Sequence, residues 1–222
     1  MDDPTFVTQL IDFESLSPQI RTALFLGAMT LLPAMLVTMT AFTRIVIVMS
    51  FIRRALSTQE IPPTQVIIGL SLFLTLFVMG PTIQRIEDNA ITPYVNEEIE
   101  TVECWKRSMT ELQGFMLKQT RKQDLMLFIE MSDSSAISSP EETPMRLLIP
   151  AFVISELKTA FIMGFCIYLP FILIDLVVSI ILMALGMMMM PPVVVSTPCK
   201  LLLFILIDGW NLIARTLSMS FN

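Results

Sequence analysis

Four long apolar stretches, broken once by a polar insert, organise the 222 residues. The first runs from Thr22 to Thr43 without a charge, 22 residues, and continues past Arg44 through Ile45–Ile52. At about 1.5 Å per residue it spans roughly 33 Å, enough for a bilayer core. Ser17-Pro18 supplies a start signal, a capping side chain followed by proline at the first helical position. Arg53-Arg54 closes it. The second stretch, Val66–Ile83, is entered through Pro62-Pro63 and left near Gly80-Pro81. The third runs from Leu147 to about Ile174, interrupted by Glu156 and Lys158, and the fourth from Leu176 to Cys199 with a break at Pro191-Pro192. A tail from Leu201 to Leu217 carries Asp208 and Arg215.

Between the second and third stretches lie 63 residues, Gln84–Arg146, with 7 basic and 12 acidic side chains. Within them Leu112, Phe115 and Met116, and then Leu125, Met126, Phe128 and Ile129, recur at helical spacing. That periodicity predicts one or two amphipathic helices. Ser132–Pro144, rich in Ser, Pro and acids, reads as a loop. The predicted fold is all-α: membrane-associated bent helical hairpins, about four long apolar helical segments and a polar helical insert. The expected divisions are an N-terminal polar segment 1–21, a first hairpin 22–83, the insert 84–146 and a second helical part 147–222.

Composition sharpens the picture. Hydrophobic residues reach 54% and charged ones only 15%, against about 45–50% and 25% in soluble domains. Lipid, or a large buried interface, therefore covers much of the surface. The net charge is −6 with no Lys/Arg block, which excludes nucleic acid as a partner. By the positive-inside rule Arg53 and Arg54 put their short loop in the cytoplasm, and the N-terminus and the insert on the far side. Asp2, Asp3, Asp12 and Glu14 precede the first basic residue, Arg21, which is not how a signal peptide begins. Either internal helices insert the chain or a signal has been removed.

Enzymatic chemistry has little to work with. Histidine is absent, which removes the commonest general base and transition-metal ligand. Neither GxSxG nor HExxH nor a phosphate-binding glycine loop occurs. Cys104, Cys166 and Cys199 form no zinc or CxxC pattern. Cys166 and Cys199 read as packing within apolar helices, and Cys104 as a free thiol in a polar stretch. No catalytic residue, metal or cofactor is expected.

The chemistry the chain does carry is charge in apolar surroundings. Arg44, Glu156, Lys158, Asp175, Lys200 and Asp208 lie in or against apolar runs. Each would cost a few kcal/mol (~3) facing lipid at the bilayer centre. Arg44 and Lys200 have stems long enough to snorkel instead. Glu156 and Lys158, two positions apart, point about 200° away from each other on a helix and cannot pair. Each needs a partner on another helix or another subunit, or water. Pro33, Pro150, Pro170, Pro191, Pro192 and Pro198 lie in the same runs and remove backbone donors there, so neighbouring protein or water has to satisfy the freed carbonyls. Gly186 followed by Met187, Met188, Met189, Met190 and Pro191-Pro192 reads as a hairpin tip between Leu176–Leu185 and Val193–Ile207. Methionine is apolar, flexible and polarizable, so several copies around an axis make a deformable seal.

Several segments carry a resemblance. Thr43–Val48 (TRIVIV), Pro62–Met79 (PPTQVIIGLSLFLTLFVM), Phe115–Phe128 (FMLKQTRKQDLMLF), Leu148–Phe161 (LIPAFVISELKTAF), Leu185–Pro192 (LGMMMMPP) and Leu202–Leu212 (LLFILIDGWNL) are similar, in order, to the FliP family of type III secretion export-gate proteins. That family has flagellar members and relatives in virulence injectisomes. The likeness covers roughly Thr22 to the C-terminus. It implies co-assembly of further copies, a pentamer, with two smaller hydrophobic subunits, FliQ-like and FliR-like, in the flagellar basal body at the bacterial inner membrane. Unfolded flagellar proteins pass through such a gate. The resemblance implies that Met187–Met190 close the resting channel and that Glu156 and Lys158 hold neighbouring subunits together. It also implies bent hairpins packed on other subunits, largely above the membrane plane, rather than separate spans. A small membrane transporter or ion-channel subunit is the competing reading, but such folds commonly show an internal repeat and none is visible.

Overall fold

The computed structural model describes residues 17–58, 61–132, 143–187 and 189–221, without the side chains of residues 28, 31, 32 and 36. Most of the predicted N-terminal segment 1–21, most of the Ser132–Pro144 loop, and Met188 therefore lie outside the described residues. All the regular structure described is helical. The chain divides into two units, residues 1–37 and 38–222.

The first unit is built on α1, Pro18–Met39, which starts where Ser17-Pro18 predicts. Ser17 contributes its carbonyl to the first turn, accepting from Arg21 N at 3.1 Å. Apolar residues surround this helix rather than forming a stripe, and Leu24, Phe25, Leu26 and Met29 are exposed. That is the pattern of a helix without a polar face.

The second unit contains α2 (Phe42–Ala55), α3 (Thr64–Ile86), a π-helical turn (Glu87–Ile91), and α4 (Thr92–Val95). After these come α5 (Thr101–Gln119), α6 (Lys122–Met131), α7 (Met145–Ala184), α8 (Pro192–Leu206) and α9 (Gly209–Met219). Its spine is α2 against α7. Ile45, Val48, Met49, Ile52 and Ala55 form one buried stripe, and Leu148, Ala151, Phe152, Ser155, Glu156, Ala160 and Gly164 form the facing one. The spacing of both stripes is that of a helix with one buried face. Where one or two amphipathic helices are expected, the polar insert supplies two, α5 and α6. Their Phe115, Met116 and Leu125 join the same core as α2 and α7.

Two predicted boundaries need correction. Gly80-Pro81 does not end the second helix, which runs on through Ile86 and then by the π-turn and α4 to Val95. An interior proline removes one donor and can be absorbed, and a change from apolar to polar residues is no stop signal for a backbone. Likewise Asp175 does not separate two helices: α7 passes through it for 40 residues. Among the described residues two helices, Thr64–Val95 and Met145–Ala184, are long and apolar enough to cross a membrane, or up to four if each of two bent pairs counts as one span. One such pair is α8 and α9, bent by 64°.

Close approach of α2 and α7 depends on Gly164. A Cβ built there would lie 2.6 Å from Phe51 Cγ and Cδ2, while the Phe51 ring meets Phe161 edge-on at 5.6 Å. Gly164→Ala should therefore force the ring out of place and cost about 1–3 kcal/mol. The check is the unfolding midpoint of purified protein in detergent; an unchanged midpoint would mean the two helices have slack at this crossing.

Candidate functional site

Arg44 and Glu156 meet across the spine, near the start of α2. Arg44 Nε donates to Glu156 Oε2 at 2.8 Å, and Nη2 donates to Oε1. This two-pronged contact is buried on both sides, with the Glu156 side chain 0% exposed. The other guanidinium edge is satisfied as well. Nη1 donates to the Ser220 carbonyl at 2.9 Å and to Ser220 Oγ at 3.1 Å, and Nη2 also reaches Gln119 Oε1 at 3.2 Å. The Phe221 ring covers the guanidinium face at 3.8 Å. Four segments (α2, α5, α7 and the residues after α9) thus converge on one charge. Planar, forked Arg suits such a site, where a lysine would satisfy fewer acceptors.

A second polar centre ties the last hairpin together. Lys200 Nζ, on α8, donates to Asp175 Oδ2 on α7 at 2.5 Å and to Ser57 Oγ at 2.6 Å. Ser196 Oγ donates to the other Asp175 oxygen at 2.6 Å. The lysine side chain is 1% exposed, whereas that of Asp175 is 34% exposed. Ser57 adopts a left-handed backbone (φ 56°) just after α2, which brings its hydroxyl under the hairpin.

Several expectations change accordingly. Glu156 does not have to look beyond its own chain, because Arg44 lies opposite it across the α2–α7 contact. Arg44 and Lys200 do not snorkel: both heads are enclosed and paired. Asp208 is not a buried charge. It is exposed at the bend before α9, with a left-handed backbone (φ 50°), because the apolar run breaks there instead of carrying the carboxylate into a helix. Cys166 and Cys199 are exposed on their helices rather than packed inside, since each falls outside the buried stripe, and Cys104 is a half-buried free thiol. Lys158 is exposed, and among the described residues no carboxylate lies within ion-pair distance of it.

The methionines end the α7–α8 hairpin. After Ala184 the helix closes with Leu185 N and Gly186 N donating to Ile181 and Met183 carbonyls at 3.0 Å. Gly186 takes φ 75°, a conformation that a side chain would strain. Met190 N then donates to the Met187 carbonyl at 3.3 Å, and Pro191 starts the return. Met187, Met189 and Met190 are exposed, Met189 at 99%.

Comparison with known proteins places this geometry. The FliP family model matches residues 25–217, which takes in α2, the Arg44–Glu156 and Lys200–Asp175 pairs and the methionine turn. The chain belongs to the FliP family. Among its relatives is the flagellar biosynthetic protein FliP of Pectobacterium carotovorum subsp. carotovorum, 48% identical over 220 residues, 98% of this chain and 85% of the relative. The FliP of Bacillus subtilis (strain 168) is 47% identical over 210 residues, 95% of both chains. That of Aquifex aeolicus (strain VF5) is 45% identical, covering 94% of this chain and 88% of its own. This FliP-family chain is thus an all-helical membrane-type protein of flagellar biosynthesis.

Within that family member, the partners of the two charge centres escaped sequence reasoning. Gln119, Ser220, Phe221, Ser57 and Ser196 are ordinary residues by composition. The contact from Arg44 to Glu156 spans 112 positions and that to Ser220 spans 176. No local spacing encodes such pairs.

Proposed function

We propose that this chain is a structural subunit of the flagellar type III protein export gate, and that its methionine turn helps close the channel for unfolded flagellar proteins. The observation that carries this reading is the turn itself. Three described methionines stand exposed at the end of a hairpin whose stem is braced by a buried lysine paired with a half-buried aspartate. A braced stem with a soft apolar tip suits a constriction that excludes ions by dewetting yet gives way to a passing chain.

In this reading several copies assemble, a pentamer, with smaller FliQ-like and FliR-like subunits in the inner-membrane part of the basal body. The N-terminus and the insert face the periplasm, and the Arg53-Arg54 loop faces the cytoplasm. Lys158 is the charge available for a neighbouring subunit, since its apolar helix leaves it exposed. Glu156 acts through Arg44 by holding α2 and α7 in register.

Deleting Met187–Met190, or replacing them with glycine or alanine, should widen the closed pore. Ion leakage across the membrane should rise while the complex still assembles. Bulky tryptophans at the same positions should slow secretion instead. Conductance and secretion measured side by side in the same strains decide the matter: unchanged conductance in fully assembled, shortened-loop complexes would move the seal elsewhere.

A further inference from the structure

We propose that the methionine turn is also a redox-sensitive modification site, at which peroxide converts the thioethers of Met187, Met189 and Met190 to sulfoxides. The chemistry stands on the geometry of the turn. Its consequence for leakage rests on the seal reading given above.

Accessibility decides which thioethers react. The chain has 18 methionines, and several are sealed in the core: Met49 is 2% exposed, Met116 0% and Met79 3%. At the turn the situation is reversed. Gly186, Met187, Met189 and Met190 line an open cleft of about 530 Å³, ample for a peroxide molecule. The left-handed Gly186 and the Met190–Met187 hydrogen bond hold the turn at the end of its stem, and Met189 projects from it almost wholly uncovered.

The reaction is balanced within the two reactants. A lone pair on the thioether sulfur attacks one oxygen of hydrogen peroxide, forming the S–O bond as the O–O bond breaks. The hydroxide that leaves takes the remaining proton and departs as water. Sulfur loses two electrons and peroxide gains them. The product side chain is polar and chiral, and a reductase specific for methionine sulfoxide returns it to the thioether. A sulfoxide oxygen accepts hydrogen bonds from water, so each one placed in an apolar constriction favours wetting and lowers the barrier to ions. Oxidant would thereby loosen the seal, and the reductase would restore it.

The exposed Met131 on α6, 74% accessible, is a control within the same chain: it should oxidise without serving the seal. The experiment uses native membranes carrying the full chain with its partner subunits, treated with graded hydrogen peroxide. Sulfoxide is read residue by residue by mass spectrometry, with ionic conductance recorded on the same samples. Met189 should oxidise about tenfold or more faster than Met49 and Met116. Conductance should rise with occupancy at the turn and fall again after methionine sulfoxide reductase. The variant with all four replaced, M187L/M188L/M189L/M190L, should show no peroxide-dependent rise, whatever its baseline. If the turn oxidises no faster than Met49 at every dose, the proposal is overturned. If it oxidises reversibly with conductance unchanged, the modification site stands and the seal reading falls.

Discussion

Replacing Glu156 with alanine should destabilise the folded chain by about 3–5 kcal/mol, because it strands the Arg44 guanidinium in a buried site. Gln119, Ser220 and Phe221 would still touch the cation, but none carries a compensating charge. Arg44→Ala should cost a similar amount by stranding the carboxylate. The pair itself need not be a net source of stability: Arg44→Met combined with Glu156→Leu should recover much of the loss, since an apolar pair of similar volume avoids both desolvation penalties. Lys158→Ala is the counterpart. With its head in solvent, it should change the stability of the isolated chain by no more than about 0.5 kcal/mol, and any effect should appear only in the yield of the assembled complex. Denaturant unfolding in detergent separates these cases. A Glu156→Ala protein that unfolds like the parent would show that water or another acid reaches Arg44.

The second centre should respond unequally from its two sides. Asp175→Ala leaves Lys200 enclosed with only Ser57 as a partner and should cost about 2–4 kcal/mol, a little less than for a fully buried pair because Asp175 is partly solvated. Lys200→Ala leaves a carboxylate that already reaches solvent and keeps the Ser196 hydroxyl. Its cost should be smaller, about 1–2 kcal/mol. The consequence extends beyond stability, since the pair joins α7 to α8 below the methionine turn. Asp175→Ala should therefore also raise the protease sensitivity of the hairpin. Unfolding midpoints and limited proteolysis of the two variants check the order; a Lys200 variant weaker than the Asp175 variant would invert the argument.

Local signals in the sequence were reliable where a backbone has to start, stop or turn. Ser17-Pro18 begins α1, the glycine and prolines around the methionines shape the last turn, and the apolar spacing around Phe115 and Leu125 marks α5 and α6. The same kind of reading failed at Gly80-Pro81 and at Asp175, where helices continue. In the first case polarity changes along an unbroken helix. In the second the charge is met by Lys200 from the following helix, so it costs the helix nothing to pass through. Which charges pair was beyond local reading, because Arg44 and Glu156 come together only when α2 and α7 cross, and Ser220 joins them only when the residues after α9 reach the same place. The methionine turn was legible as a tip, yet its accessibility is a property of the folded hairpin.

The 40 residues of α7 carry a further implication. Along its axis such a helix measures about 60 Å, twice the roughly 30 Å of bilayer hydrocarbon. Transmembrane helices tilt by about 20° on average and seldom beyond about 40°. Even at that limit roughly 14 residues would project past the hydrocarbon. The first turns of α7 are covered by the chain itself, with Leu148, Ala151 and Phe152 buried, whereas its last turns remain apolar and exposed, with Ile180, Ile181 and Met183. If that last part projects, its side chains would meet water unless another polypeptide wraps them. Hydrophobic mismatch, measured in ångströms of helix, thus singles out the C-terminal part of α7 as the part that its own chain leaves without cover.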